Sequence, residues 1–156
     1  KPLTTYLAEK VWGPAGMEQQ ATWLLSKTGK EIGGCCVQAS PRDYARLGVF
    51  ILNGAQVNGQ SIVPEGWWAE ATTKRADIGR PGRGYGYQWW TYDDGSYAAR
   101  GIFGQGIFID PQRKLVIVSN ANWAHGARDP QATEARENFY REVQQVIDEE
   151  ARAPRP

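Results

Sequence analysis

The stretch GIFGQGIFID, residues 101–110, combines strand-forming residues with three glycines, which weaken the interior of a β-strand. Successive side chains of a strand point to opposite faces of its sheet. One face would therefore carry Ile102, Gly104, Gly106 and Phe108, and the other Phe103, Gln105, Ile107 and Ile109. Two consecutive positions on one face lack a side chain, so bare backbone is open there to a ligand or to another chain segment.

The segments on either side of this stretch predict an antiparallel sheet covered by helices. Residues 85–92 and 114–120 are further strand candidates, and residues 96–110 form one long strand or two. An earlier helix is predicted over residues 40–54. Residues 131–151 predict a final helix whose apolar stripe consists of Ala135, Phe139, Val143, Val146 and Ile147. The fold class expected from this order is α+β, with an antiparallel sheet of about three to five strands flanked by helices.

The composition argues against several classes of partner. The 156 residues carry a net charge of +1, which gives no electrostatic attraction to nucleic acid or to a membrane surface. A single His and two Cys offer no zinc-binding set. The glycine-rich residues 79–86 lack the strand–loop–helix order of a phosphate-binding loop. We therefore expect no metal, no cofactor, no nucleic acid and no membrane among the partners.

The two cysteines and the first residues bear on the origin of the chain. Cys35 and Cys36 are adjacent, and because a disulfide between neighbours is strained, two free thiols are expected. The chain opens Lys1-Pro2-Leu3 without a methionine, so an upstream part is expected to be missing. The sequence therefore does not decide between the cytoplasm and the periplasm, and unpaired thiols would favour a reducing compartment.

Lys27-Thr28-Gly29 has the wording of one signature of the penicillin-recognising serine enzymes. It is flanked by Ser26, Lys30 and Glu31, which make a polar connector and predict an exposed turn without a catalytic role. The companion signatures Ser-x-x-Lys and Tyr-x-Asn do not occur in the sequence. The chain therefore offers no recognisable pair of nucleophile and base.

The order of five segments resembles the C-terminal half of the serine β-lactamase-related family. These segments are PLTTYLAEKVWGPAGMEQQATWLL, GGCCVQASPRDYARLGVFILNG, NGQSIVPEGWW, YGYQWW and GIFGQGIFIDPQRKLVIVSNAN. The family contains class C β-lactamases, DD-peptidases, esterases and 6-aminohexanoate-dimer hydrolases, and GIFGQG looks most like the last branch. The resemblance implies the C-terminal part of a β-lactamase/transpeptidase-like fold over residues 1–153, with residues 154–156 as a tail.

The resemblance also implies where the chemistry lies. Ala99-Arg100-Gly101 occupies the position of the family's Lys-Thr-Gly strand, and the backbone N–H of Ile102 would be the second oxyanion-hole donor. The residues implied to contact substrate are Arg100, Gly101, Phe103, Gly104 and Gln105. The nucleophilic Ser with its Lys, and the catalytic Tyr, would lie upstream, so this chain alone is expected to be inactive. The implied partners are a small-molecule amide, lactam or ester and the N-terminal part of the same enzyme.

Two other readings of the sequence stay open. The seven tryptophans would suit a non-catalytic binding module, in which an antiparallel sheet holds an amide-bearing or sugar ligand. The chain could also be a structural half that needs its N-terminal partner in order to fold. An upstream segment with Ser-x-x-Lys would favour the enzyme over both.

Overall fold

The computed structural model describes residues 1–153, which divide into two compact units, one from Lys1 to Trp67 and the other from Trp68 onward. Residues 154–156, which the sequence predicts to be a tail, lie outside the described residues. None of the helices within residues 1–153 combines the length and the apolar character that crossing a bilayer requires.

The first unit is made of short elements. Its helices are α1 (Leu3–Leu7), which continues as a π-helix (Ala8–Trp12), and α2 (Pro41–Leu52). Its strands form two antiparallel pairs, β1 (Thr22–Trp23) with β2 (Val37–Gln38), and β3 (Gln56–Val57) with β4 (Gln60–Ser61).

Helix α2 confirms the helix predicted from residue 40 onward, and its first turn explains why it begins there. The Ser40 hydroxyl accepts a hydrogen bond from the Asp43 N–H at 3.1 Å, which satisfies one free donor of the helix start. The Asp43 carboxylate in turn accepts from the backbone N–H of Glu18 at 2.8 Å and of Gln19 at 3.1 Å. The hydrogen bond from Glu18, followed by that from Ser40, lowers the pKa of Asp43.

The expectation of free thiols is wrong, because Cys35 and Cys36 are joined by a disulfide. Cys36 adopts a left-handed backbone with a φ of 79°, a conformation that adjacent residues in regular structure do not have. The Trp23 indole N–H lies 3.0 Å from the carbonyls of both Ile32 and Cys35 and holds this turn. The two sulfurs meet because the turn is irregular, and the spacing of the cysteines alone could not indicate it.

The second unit contains one large sheet and the final helix. Helix α3 (Trp67–Ala71) precedes the sheet, and a short 3₁₀ helix (Gly126–Arg128) precedes α4 (Pro130–Arg152). The strands run in chain order as an antiparallel meander: β5 (Ala76–Asp77), β6 (Arg83–Tyr85), β7 (Trp90–Tyr92), β8 (Tyr97–Arg100), β9 (Gly106–Asp110) and β10 (Leu115–Ser119). The predicted α+β class is confirmed, with six strands in this sheet instead of three to five. Residues 85–92, predicted as one strand, contain the end of β6, a turn and β7.

Residues 101–105 form a turn and residues 106–110 form strand β9. The interpretation of residues 101–110 as one strand is therefore wrong. Arg100 pairs with Gly106 at the end of the β8–β9 hairpin, and residues 101–105 connect the two strands. The Gly101 N–H donates to the Gln105 carbonyl at 2.9 Å, which closes the connection. Gly104 takes a φ of 89°, a left-handed conformation that a strand does not use.

The space beside the backbone at Gly104 and Gly106 is filled by side chains from other parts of the chain. A Cβ added to Gly104 would lie 2.4 Å from the Trp123 indole, and one added to Gly106 would lie 3.1 Å from the Tyr140 hydroxyl. Both glycines are buried. Close approach of neighbouring side chains, one of the two alternatives inferred from the sequence, therefore explains both positions.

Helix α4 packs on one face of the sheet, as predicted, but with a different stripe. The Tyr140 ring stacks on Phe108 with centroids 4.3 Å apart, and Ala98 completes this core. Buried Gln144 donates to the carboxylate of Asp110 at 2.7 Å. In the predicted stripe, Ala135, Phe139 and Val146 are exposed, whereas Val143 and Ile147 are half-buried. The stripe is displaced because Asp110, buried in the sheet, requires a polar partner from the helix.

Candidate functional site

The second unit contains a cavity of about 390 Å³ at the end of the β8–β9 hairpin. It is bounded by β6, β7 and β8, by the turn after β8, by the loop that carries Trp123 and by the first turns of α4. Its lining is rich in arginine and aromatic residues, namely Arg80, Arg83, Arg100, Arg136, Trp90, Tyr92 and Trp123, with Ile78, Gly84, Thr91, Gly101, Ile102, Ala127, Thr133 and Glu137.

Gly101 and Ile102, which the family resemblance implicated, both line this cavity. The Ile102 residue is 66% exposed. Its backbone N–H makes no hydrogen bond to any atom of residues 1–153, although the N–H groups of Gly101 and Phe103 on either side are both bonded. Ile102, a lining residue, therefore carries an N–H donor without a partner, in a turn whose neighbouring donors are fixed.

Arg100 also lines the cavity, and its side chain lies on the face of the sheet that α4 covers. This follows from the alternation of β8, because Ala98, two residues earlier, belongs to the core beneath α4. The Arg100 guanidinium donates to the Tyr92 hydroxyl and to the Glu137 carboxylate. Only 15% of the Arg100 side chain is exposed. Arg100 is therefore already paired and holds α4 to the sheet.

Glu137 links two arginines of the cavity wall. One carboxylate oxygen, Oε1, accepts from Arg100, and the other, Oε2, lies 2.7 Å from Arg83. The Arg83 guanidinium also lies over the Tyr92 ring, 4.0 Å from its centroid. Burial is the largest influence on Tyr92 and raises the pKa of its phenol, against the opposing charge of Arg100. Both oxygens of the one carboxylate in the wall are thus engaged.

Arg136, in the second turn of α4, is a cavity residue that sequence reasoning missed. Its guanidinium carbon lies 4.6 Å from the centroid of a Trp123 ring. Its Nε and Nη1 atoms are buried without a hydrogen-bond partner. Burial, and then the charge of Arg100, lower the pKa of Arg136. No sequence signal distinguishes it, because an arginine on an amphipathic helix is ordinarily a solvated surface residue.

The other three residues implied to contact substrate do not line the cavity. The Gln105 side chain folds back over the turn and accepts a hydrogen bond from the Phe103 N–H at 3.0 Å. Gly104 is buried beneath Trp123, and the carbonyl of the exposed Phe103 accepts from the Trp123 backbone N–H at 3.0 Å. These residues shape the turn that presents Ile102, and their contact with a substrate stays a prediction.

Several polar groups outside the cavity lie on the surface. Lys27, Thr28 and Gly29 form an exposed turn of the first unit, as predicted. His125 is exposed in the loop before the 3₁₀ helix, and Asp93 is exposed in the β7–β8 turn. In residues 1–153, no group of three or more His, Cys, Asp or Glu is arranged to hold a metal ion.

The cavity therefore combines two kinds of chemistry. A free backbone N–H can stabilise a developing oxyanion, and a guanidinium can bind an anionic group. Among the described residues, the lining contains no Ser, His, Cys or Lys that could act as an activated nucleophile or its base.

Comparisons with known proteins agree on one family. A family model described as Beta-lactamase matches residues 1–140. The 6-aminohexanoate-dimer hydrolase of Paenarthrobacter ureafaciens is 30% identical over 132 residues, which are 78% of this chain and 33% of that protein. A solved Bacillus anthracis structure, provisionally named a 6-aminohexanoate-dimer hydrolase, superposes with a TM-score of 0.79 at 28% identity. The superposition covers 96% of this chain and 39% of that one, so the chain spans between about a third and two-fifths of the length of these two proteins.

Proposed function

Because this chain belongs to the β-lactamase family, we propose that it supplies the oxyanion-hole strand and one wall of the substrate cleft of a serine acyl hydrolase. The substrate is an amide, a lactam or an ester. The nucleophilic Ser with its Lys, and the catalytic Tyr, lie upstream of this chain in the complete protein.

The role proposed for this chain is electrostatic. Attack of the serine oxygen on an acyl carbon forms a C–O bond, breaks the carbonyl π bond and places a negative charge on the carbonyl oxygen, while the serine proton passes to the base that lies upstream with it. Two N–H donors receive that oxygen, one from the nucleophile's own backbone and one from Ile102. A preorganised donor of this kind contributes roughly 3–4 kcal/mol to transition-state stabilisation.

The observation that carries the proposal is the free N–H of Ile102 on the wall of the cavity. The turn around it is held by three hydrogen bonds that leave this one donor free. Gly101 N–H donates to the Gln105 carbonyl, Phe103 N–H to the Gln105 side chain, and Trp123 N–H to the Phe103 carbonyl. A donor fixed in this way needs little reorganisation when the oxyanion forms, which is the condition for effective stabilisation.

The replacement of Lys-Thr by Ala99-Arg100 favours a substrate other than a standard β-lactam. Arg100 is engaged with Glu137 and Tyr92 beneath α4, and Ala99 carries no charge. Both relatives are named for the hydrolysis of a 6-aminohexanoate dimer, and condensation of one amino acid with another forms an amide. We therefore place linear amides and esters first among the proposed substrates.

The test uses the complete protein that contains this chain and a serine-directed fluorophosphonate probe. We expect turnover of p-nitrophenyl butyrate or of a short linear amide, abolished by a single label on a serine outside residues 1–156. The separately produced 156-residue chain should show neither turnover nor labelling. A label on a serine of this chain would contradict the proposal, and so would ligand binding by the complete protein without turnover, as a binding module would show.

A further inference from the structure

The disulfide between Cys35 and Cys36 is poorly suited to stabilising the fold. In the chain-entropy account, a disulfide stabilises a protein because it restricts the unfolded chain, and this effect grows with the number of residues in the closed loop. Two adjacent residues close the shortest loop that a chain can form. The bond therefore restricts the unfolded chain very little, and its effect has to be sought in the folded turn that contains it.

The backbone of Cys36 shows what the bond accompanies. Its φ of 79° lies in the left-handed region, which residues other than glycine seldom adopt. The Cys35 carbonyl accepts a hydrogen bond from the Trp23 indole N–H at 3.0 Å. The Cys36 carbonyl accepts one from the Leu24 N–H at 3.1 Å, and the next residue, Val37, begins β2. The disulfide thus spans a disfavoured conformation at the point where the turn joins a strand.

The turn is open to a reagent in solution. Cys35 is exposed, whereas Cys36 is half-buried. Gly33 and Gly34, which precede them, are exposed, and no heavy atom lies within 4 Å of the position that a Cβ of either glycine would occupy. Exchange between thiols and disulfides depends on access to a sulfur, and exposed disulfides are the labile ones. Cys35 is therefore the residue at which an incoming thiolate would attack.

We propose that Cys35–Cys36 is a redox site that exchanges with dithiol reductants, and that its bond switches the turn between two conformations. A thiolate of the reductant attacks Cys35 Sγ, forms a mixed disulfide with it and displaces Cys36 as a thiolate. The second thiol of the reductant then attacks the reductant's own sulfur in the mixed disulfide, which releases the Cys35 thiolate. The reductant leaves as a disulfide, and the protein gains two electrons and two protons as a pair of thiols.

Reduction removes the constraint on Cys36. Without the bond, this residue can return to the extended region that is ordinary beside a β-strand. The rotation turns the peptide group between the two cysteines, whose carbonyl accepts from the Trp23 indole N–H. The reduced state should lose that hydrogen bond and keep the one from the same indole to the Ile32 carbonyl. Trp23 therefore reports the state of the disulfide, and no turnover is needed to observe it.

The first experiment treats the complete protein with dithiothreitol, with and without urea, and labels free thiols with iodoacetamide. Mass spectrometry of the peptide that contains Cys35 and Cys36 should find two labels after reduction and none before. Reduction of the folded protein should be slower than that of the unfolded chain by less than ~100-fold, whereas exposure only through global unfolding would slow it by ~10³-fold or more. Protection of ~100-fold or more, or labelling before reduction, would overturn the proposal.

The second experiment follows the Trp23 indole N–H of the same protein by NMR. Dithiothreitol should shift this signal, and oxidised glutathione should restore it. The indole signal of Trp123, in the second unit, is the internal reference and should stay in place. An unchanged Trp23 signal in folded protein whose two cysteines are fully reduced would overturn the conformational switch.

Two matched variants separate the bond from the backbone conformation. Both carry Cys35→Ala, and one adds Cys36→Gly whereas the other adds Cys36→Ala. Glycine adopts a positive φ readily and alanine does not. We expect the Trp23 signal of the glycine variant to lie closer to the oxidised position, that of the alanine variant closer to the reduced one, and neither to respond to dithiothreitol. Coincident signals in the two variants would contradict the role of the left-handed Cys36, and reduction of the parent protein decides the matter if either variant does not fold.

Discussion

Two stretches of this chain show that the amino-acid sequence of a motif does not by itself determine its position in the fold. Lys27-Thr28-Gly29 matches the sequence of a catalytic signature, yet it forms an exposed turn between two short strands of the first unit. Ala99-Arg100-Gly101 lacks those letters, yet it ends a central strand of the six-stranded sheet, and Arg100 and Gly101 line a cavity.

The difference lies in what surrounds the backbone. After Gly101, the chain is fixed by hydrogen bonds on both sides of one free N–H and is covered by Trp123. At Gly29, no heavy atom lies within 4 Å of the position that a Cβ would occupy. Oxyanion stabilisation needs a donor held in place before the reaction, and of these two environments only the one after Gly101 provides it. Substitution of Gly104, in the turn that follows Gly101, and of Gly29 should make this contrast measurable.

The largest effect is expected for Gly104→Ala. The new Cβ would overlap the Trp123 indole at 2.4 Å, and the backbone φ of 89° disfavours any side chain. Overpacking and the left-handed conformation together should lower the free energy of unfolding by about 2–5 kcal/mol. The control, Gly29→Ala, has a φ of 76° and open space, so it should cost only about 1–2 kcal/mol. Urea unfolding followed by Trp fluorescence measures the free energy of unfolding of both variants. Equal decreases at Gly104 and Gly29 would contradict the difference between the two environments.

A smaller effect is expected for Glu137→Gln, which removes the acceptor shared by Arg83 and Arg100. The Glu137 side chain is 13% exposed, so both arginines would lose a charged partner in a largely dry setting. We expect the free energy of unfolding to fall by about 2–3 kcal/mol, the scale of a hydrogen bond between charged groups. Glu134→Gln, at an exposed position of the same helix, is the control and should be nearly neutral. Thermal unfolding of the complete protein measures both variants, and a neutral Glu137→Gln would show that Arg100 does not depend on this pair.

The buried surroundings of the hairpin should also appear in an alkaline titration. Burial raises the pKa of Tyr97, in β8, and of Tyr140, beneath Gly106, each to about 12. Because the folded pKa is raised above the ordinary value of 10.0, the stabilisation is complete below pH 10 and is lost as the pH rises through 12. Absorbance in the near ultraviolet should show that these two tyrosines ionise at a higher pH than ordinary tyrosines. The pH of their ionisation should fall when urea unfolds the protein. Tyr140→Phe should remove one late phase, and its persistence would contradict the assignment.

The smallest effect is expected for Lys27→Ala, in the stretch that has the catalytic letters. The side chain is exposed, so the catalytic rate should stay close to that of the parent, and the free energy of unfolding should change by no more than about 0.5 kcal/mol. Steady-state kinetics of the complete protein measure the first quantity and urea unfolding the second. If the folded variant instead turned over substrate roughly 100-fold more slowly, the size of effect expected for a lost catalytic group, Lys27 would serve catalysis and the comparison would be inverted.

Local patterns in the sequence predicted the parts of this fold that depend on neighbouring residues. The helix that begins near residue 40, the antiparallel pair β9–β10 and the final helix all follow from turn chemistry and periodicity. The resemblance to a known family placed Arg100, Gly101 and Ile102, and the structure brings these three residues to one cavity.

The parts that were missed depend on packing between distant segments. Arg136, Glu137 and Trp123 join the cavity only because α4 and its preceding loop fold back over the sheet. The apolar stripe of α4 was misplaced because buried Asp110 is matched by Gln144, an interaction that periodicity does not encode. The Cys35–Cys36 bond likewise depends on a left-handed residue in a turn.

The central claim is that the backbone N–H of Ile102 is one of the two donors that stabilise the oxyanion. The most direct measurement replaces the amide at Ile102 by an ester through semisynthesis, which removes the N–H and keeps the isoleucine side chain. We predict that kcat falls by ~10²–10³-fold with little change in KM. The same replacement at Phe103, whose N–H is bonded to Gln105, should leave kcat within a few-fold of the parent. Unchanged kcat for the folded Ile102 ester would contradict the account.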